Sequence, residues 1–95
     1  MVKIKVLDDS ITITGHANYD DFGKDIVCAS VSSIAITTIN AIKRFDNDSL
    51  TYEEKDGYLN IKILKHSKEV DILITNMLDL FKELELQYNK NIKIN

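Results

Sequence analysis

The stretch Val2-Lys3-Ile4-Lys5-Val6-Leu7-Asp8-Asp9-Ser10-Ile11-Thr12-Ile13-Thr14-Gly15-His16 decides how the chain folds. Val2, Ile4 and Val6 alternate with Lys3 and Lys5, and Ile11 and Ile13 alternate with Thr12 and Thr14. A period of two places apolar side chains on one side of a strand and polar ones on the other. Asp8-Asp9-Ser10 between the runs is turn chemistry. Two half-buried strands joined as a hairpin are therefore expected, the second ending near His16.

Working outward, residues 17–24 lose all periodicity and carry Asn18, Asp20, Asp21 and Gly23, which reads as a loop. Asp25 is a good N-cap residue, because its carboxylate can accept a backbone N–H two or three positions on. Val27, Val31, Ile34, Ala35, Thr38, Ile42 and Phe45 then recur at helical steps, and Lys43 and Arg44 suit the last turn. Leu50–Lys55, Asp56-Gly57 and Tyr58–Leu64 read as strand, two-residue turn and strand, with Leu59, Ile61 and Ile63 inward. Ser67 can cap a second helix running to about Tyr88, with Val70, Leu73, Ile74, Met77, Leu78, Phe81 and Leu84 as its stripe. Ile92-Lys93-Ile94 suits a short edge strand. The expected fold is one α+β domain over residues 1–95, an antiparallel or mixed sheet of four to five strands packed with two long helices.

Composition narrows the function classes. The 95 residues carry a formal net charge of −3, so the total charge shows no basic footprint for nucleic acid. No apolar run reads as a membrane span of roughly 20 residues, and no signal peptide opens the chain, so a cytoplasmic protein is expected. One cysteine and two histidines exclude a Cys-rich zinc site and are thin for any metal.

The single cysteine, Cys28, lies twelve residues after His16. With Asp25 as N-cap, Cys28 falls at the third helical position, where the helix dipole and free N–H groups favour an anion. The loop returns the helix start to the strand end that carries His16. Nucleophilic attack by Cys28 on a carbonyl, with His16 moving the proton, is the chemistry such a pair supports. The Cys28 N–H and the Gly15–Ala17 or Gly23–Lys24 backbone are candidate oxyanion donors. Cysteine is also one of the residues most often buried as a small hydrophobe, and from composition and spacing alone the inert core thiol is the commoner outcome.

The context is more specific than the pair. Gly15-His16-Ala17 followed by Gly23-Lys24-Asp25-Ile26-Val27-Cys28-Ala29-Ser30-Val31-Ser32 resembles the signature of the bacterial ribosomal-processing cysteine proteases, and the resemblance extends over most of the chain in element order. It implies a cytoplasmic, cofactor-free, homodimeric endopeptidase that removes the N-terminal extension of a large-subunit ribosomal protein. It implies His16 and Cys28 as the catalytic dyad and Asp25 as the motif acid. Ser30 departs from the alanine commoner in the family. The competing expectation is a non-catalytic ribosome-associated module that grips a peptide without cutting it.

Around the pair, Gly15 and Gly23 flank the loop, and Tyr19 and Phe22 are placed either to line a substrate pocket or to anchor the loop. Asp20 and Asp21 read as a solvated acidic tip. His66 beside the second helix reads as incidental, and Glu53–Asp56 as a solvated hairpin end.

Overall fold

The N-terminal alternation sets the register of the whole sheet. The computed structural model describes residues 1–15 and 22–95. Their order is β1 (Val2–Val6), β2 (Ser10–Thr14), α1 (Phe22–Phe45), β3 (Leu50–Lys55), β4 (Tyr58–Ile63), α2 (Lys68–Gln87) and β5 (Ile92–Ile94). The strands form one five-stranded sheet in the order β3-β4-β2-β1-β5. All neighbours are antiparallel except β1 and β5, so the sheet is mixed. Two crossovers build it. α1 carries the chain from β2 to β3 with β4 between them, and α2 carries it from β4 past β2 and β1 to β5.

Pairing keeps the aliphatic strand residues on the helix side. Ile4 faces Ile13, Ile13 faces Leu59, Ile11 faces Ile61, and Val2 faces Ile92. A slip of one residue would turn this set into water, which is why the register is fixed. Val27, Val31, Ala35, Ile39 and Ile42 of α1 and Val70, Met77 and Phe81 of α2 close the core from above. Phe81 has no exposed surface, and truncating a side chain so placed typically costs about 3–5 kcal/mol.

The helix stripes were largely legible, with three differences. Ile39, absent from the expected stripe, is fully buried, while Phe45, expected in it, is half exposed at the helix end. The window Ile26–Phe45 has a mean hydropathy of 1.5, long and apolar enough by length and composition to cross a membrane. Its inward residues pack on the sheet and α2 as the core helix of the domain. That window was missed as a run because Lys43, Arg44 and several Ser, Thr and Asn residues interrupt it.

The helix ends and connections obey local chemistry. Ser67 is the N-cap of α2, its Oγ accepting from the Val70 N–H at 3.2 Å. The Asp46 carboxylate accepts from the Asp48 N–H at 3.0 Å, a bond that, with Lys65 nearby, holds its pKa below the usual carboxylate value. Glu85 of α2 accepts from the Ile94 N–H at 2.8 Å and so occupies a donor on the edge strand β5.

His66 is not incidental. Its Nδ1 lies 3.0 Å from Asp71 of α2 and its Nε2 2.6 Å from Asp9 in the β1–β2 turn. Two carboxylate acceptors on both ring nitrogens are satisfied together only by the imidazolium, which donates from each. The hydrogen bonds to Asp71 and then to Asp9 raise the His66 pKa above its ordinary 6.5. A raised folded-state pKa stabilises the fold fully below the unfolded value and loses that stabilisation as pH rises through the folded value. We expect the melting temperature of wild type to exceed that of His66→Gln at acid to neutral pH and the gap to shrink as pH climbs above about 6.5. A gap independent of pH in thermal melts would remove the clamp.

Gly15, the residue after β2, has φ +84° and donates its N–H to the Gly57 carbonyl at 3.0 Å. A Cβ there would clash with the Met1 carbonyl oxygen. Gly15→Ala therefore meets both a left-handed backbone and a backbone clash, a cost of roughly 1–3 kcal/mol from the φ alone. The expected drop in melting temperature is at least about 5 °C for a domain of this size. An unchanged melt would show that β2 can end in another way.

Candidate active site

The β3–β4 hairpin projects beyond the helices that roof the rest of the sheet. On its helix side only Leu50 of β3 is buried, while Tyr52 and Glu54 are exposed. The space left between hairpin and α1 is a cleft of about 240 Å³. Val2, Ile13 and Leu59 form its apolar floor. Cys28, Val31, Ser32 and Ile36 form the α1 wall, and Glu54, Lys55, Asp56, Gly57 and Tyr58 stand on the hairpin wall. Gly57, with φ 70°, makes the tight turn at the hairpin tip.

Cys28 is half-buried and free, and it lines this cleft. It is thus neither sealed among Val27 and Val31, as an inert core thiol would be, nor exposed on the far side of α1. Ser32 follows one turn later on the same helix face. Gly15 also lines the cleft, so the residue immediately before His16 borders the space that holds the cysteine.

Two expectations about the helix start are corrected. α1 begins at Phe22, so Asp25 is its fourth residue and not its N-cap. Phe22 and Gly23, expected in a substrate loop, stand in its first turn. The cause is that the helical propensity of the chain extends N-terminally past Gly23, a residue that weakens a helix without ending it. Cys28 becomes the seventh helical residue. Its N–H lies inside the region of intrahelical bonding, which removes it as an oxyanion donor, and the Gly15 N–H is already committed to Gly57. His16, Tyr19, Asp20 and Asp21 lie outside the described residues, and so does most of the 17–24 loop. Among the described residues no group of three His, Cys, Asp or Glu side chains gathers closely enough to hold a metal ion.

The sequence pattern described as cysteine protease Prp matches residues 1–93. The chain belongs to this family. It is 30% identical over 94 residues to the ribosomal processing cysteine protease Prp of Staphylococcus aureus, covering 96% of this chain and 87% of that protein. It superposes on the crystal structure of the S. aureus ribosomal processing protease Prp in complex with a substrate peptide with a TM-score of 0.86 at 28% identity, over 99% of this chain and 95% of that one. The same protease with a covalently linked product peptide gives 0.83 at 29% identity, with equal coverage. The Prp family places the chain among the cysteine proteases, hydrolases of peptide bonds.

What the residue pattern missed is the second wall. Glu54 and Asp56 look in sequence like any solvated hairpin end, and only the crossing of the hairpin past α1 brings them to the cleft. Ser32 could have been found, because it follows Cys28 by four. Enlarging Ser32 should fill the cleft without touching the core. Ser32→Phe is expected to slow alkylation of Cys28 by iodoacetamide several-fold, while Ser33→Phe, one position round the exposed helix face, leaves it unchanged. Equal rates in the two variants would detach the cleft from the thiol.

Proposed function

We propose that this protein is a cysteine endopeptidase that removes the N-terminal extension of a large-subunit ribosomal protein, with Cys28 as nucleophile and His16 as base and then acid. The observation that carries the reading is the partly exposed Cys28 thiol on the wall of a cleft bordered by Gly15, the neighbour of His16. A relative captured with a covalently linked product peptide fits a mechanism through a covalent intermediate.

His16 takes the Cys28 proton, and the sulfur bonds to the scissile carbonyl carbon. The carbon–nitrogen bond breaks, and the amine leaves with the proton from His16. Water activated by His16 then attacks the thioester, the sulfur–carbon bond breaks and the thiol is restored. The first turn of α1 is the source of oxyanion donors under this reading. The first four N–H groups of a helix have no intrahelical partner, and the side chain of Cys28 leans back toward that end. This retains the Gly23–Lys24 backbone as donor and gives Asp25 a place beside the site, as a motif acid rather than a cap.

The apolar floor of Val2, Ile13 and Leu59 suits an apolar substrate segment. The Glu54 and Asp56 carboxylates outnumber Lys55 on the hairpin wall, and that negative balance suits a cationic ribosomal protein. The reading includes a homodimer acting in the cytoplasm, with Tyr19 of the loop and Phe22 of the first helical turn as candidate substrate residues.

Incubation with the full-length ribosomal precursor, read by product mass, tests it. Cys28→Ala should abolish cleavage, and His16→Ala should slow it about 10²–10⁴-fold, with circular dichroism unchanged. Wild-type cleavage by Cys28→Ala would overturn the mechanism. Precursor binding without any cleavage by the wild type would return the non-catalytic peptide-gripping module.

A further inference from the structure

The face of the sheet turned away from the helices carries charge that the net balance conceals. Pairing lays its side chains out in rows. One row runs Lys93, Lys3, Thr14, Tyr58 and Lys55 from β5 across to β3. The next runs Lys5, Thr12, Asn60 and Glu53, and a third runs Ser10, Lys62 and Thr51. Five of the twelve cationic side chains of the chain lie here with one of its fifteen carboxylates. That carboxylate, Glu53, is paired with Lys55 at 3.7 Å. Among the described residues Lys3, Lys5, Lys62 and Lys93 have no acidic partner within salt-bridge reach, and all four are exposed.

Two ordinary explanations fall short. Lysines guard sheet edges against strand addition, which accounts for Lys93 on β5 and Lys55 on β3. It does not account for Lys3 and Lys5 on β1 or Lys62 on β4, which are interior strands. A merely solvated face mixes both signs, since like charges directly opposite are destabilising. Lys3 and Lys93 are direct partners in the β1–β5 ladder. The fold tolerates that repulsion where a single carboxylate would relieve it.

We infer that this face docks the backbone of an A-form RNA duplex. The lysines stand in two banks, Lys93, Lys3 and Lys5 on one side and Lys62 on the other. Between them runs a strip of hydroxyls and an amide, Thr14, Thr12, Ser10 and Asn60, with the Asn60 amide donating to Thr12 Oγ1 at 2.7 Å. Double-stranded RNA is recognised through phosphates and 2′-hydroxyls across a shallow minor groove, by shape rather than sequence. Cations at the flanks and hydroxyl-binding groups at the centre match that chemistry. An anionic membrane is a poorer fit, because such binding needs apolar side chains to insert, and the two banks and their strip offer none. Acidic net charge argued against nucleic acid from composition alone. Segregation of the lysines to one face reverses that argument, because binding responds to the local field. The cleft shares only Lys55 and Tyr58, at the hairpin end, with this face, so an RNA held on Lys93, Lys3, Lys5 and Lys62 leaves the wall that carries Cys28 free, and this inference stands apart from the proteolytic reading.

Fluorescence anisotropy with a labelled 20-base-pair RNA duplex, the same-sequence DNA duplex and phosphatidylserine vesicles tests it on the full chain. Wild type should bind the RNA duplex more tightly than the DNA. The affinity should fall with salt with a log–log slope of about −3 to −4, for about four phosphate contacts. Lys3→Gln/Lys5→Gln/Lys93→Gln should weaken RNA binding at least about tenfold and bring the slope to about −1, while Cys28→Ala changes neither. As a check free of variant folding, amide shifts on wild type should move at Thr12, Thr14 and Asn60 when RNA is added. No binding at low salt, equal binding of DNA, preference for the vesicles, or shifts confined to the helices would overturn the inference.

Discussion

The hydrogen bond from the Gly15 N–H to the Gly57 carbonyl, made at a left-handed φ, is the constraint on which the site depends. It ties the end of β2 to the tip of the β3–β4 hairpin, and it does so where the Met1 carbonyl leaves no space for a side chain. Three parts of the chain remote in sequence are thereby held at one end of the sheet. The chain leaves β2 there, the hairpin tip projects there, and α1 begins above them. The cleft is the gap these three leave, so its walls follow from topology rather than from any dedicated binding element.

That arrangement also explains why the cysteine is half-buried. α1 must bury Val27, Val31 and Ala35 against the sheet, which fixes its rotation about its own axis. Cys28 sits beside that stripe, and it turns toward the only side of the sheet where the hairpin, not the second helix, is the neighbour. One position round the helix the thiol would be in the core, and one position the other way it would be in open water. The packing of the apolar stripe thus sets the exposure of the nucleophile without any residue devoted to it.

The sheet was readable because its information is local. Val2, Ile4, Ile11, Ile13, Leu59, Ile61 and Ile63 alternate strictly, Asp56-Gly57 marks its own turn, and Ser67 declares the start of α2 by the oxygen it offers Val70. The mixed sheet with two long helices follows, and so does the short last strand. The start of α1 was misjudged because Asp25 is as good inside a first turn as before it. Both positions place a carboxylate near free N–H groups, and only the chain upstream decides between them. The clamp through His66 was invisible for a different reason: Asp71 lies only five residues on, but Asp9 meets the ring only after the α1 crossover and the β3–β4 hairpin have brought the β1–β2 turn to the head of α2.

The same separation of local from global information bears on the two faces of the sheet. Alternation assigns Lys3, Lys5, Lys62 and Lys93 to water but says nothing about which strands will be neighbours. Strand order does that, and the order β3-β4-β2-β1-β5 gathers the lysines of β1 and β5 into one bank while the hydroxyls of β2 fall between it and Lys62. Had β5 joined the opposite edge beside β3, Lys93 would stand near Glu53 and the pattern would dissolve into an ordinary mixed surface. Bulk charge is therefore a poor guide to partners for a sheet protein of this size. The apolar face of each strand dictates where the polar face points, and the pairing order alone decides whether scattered lysines become a field.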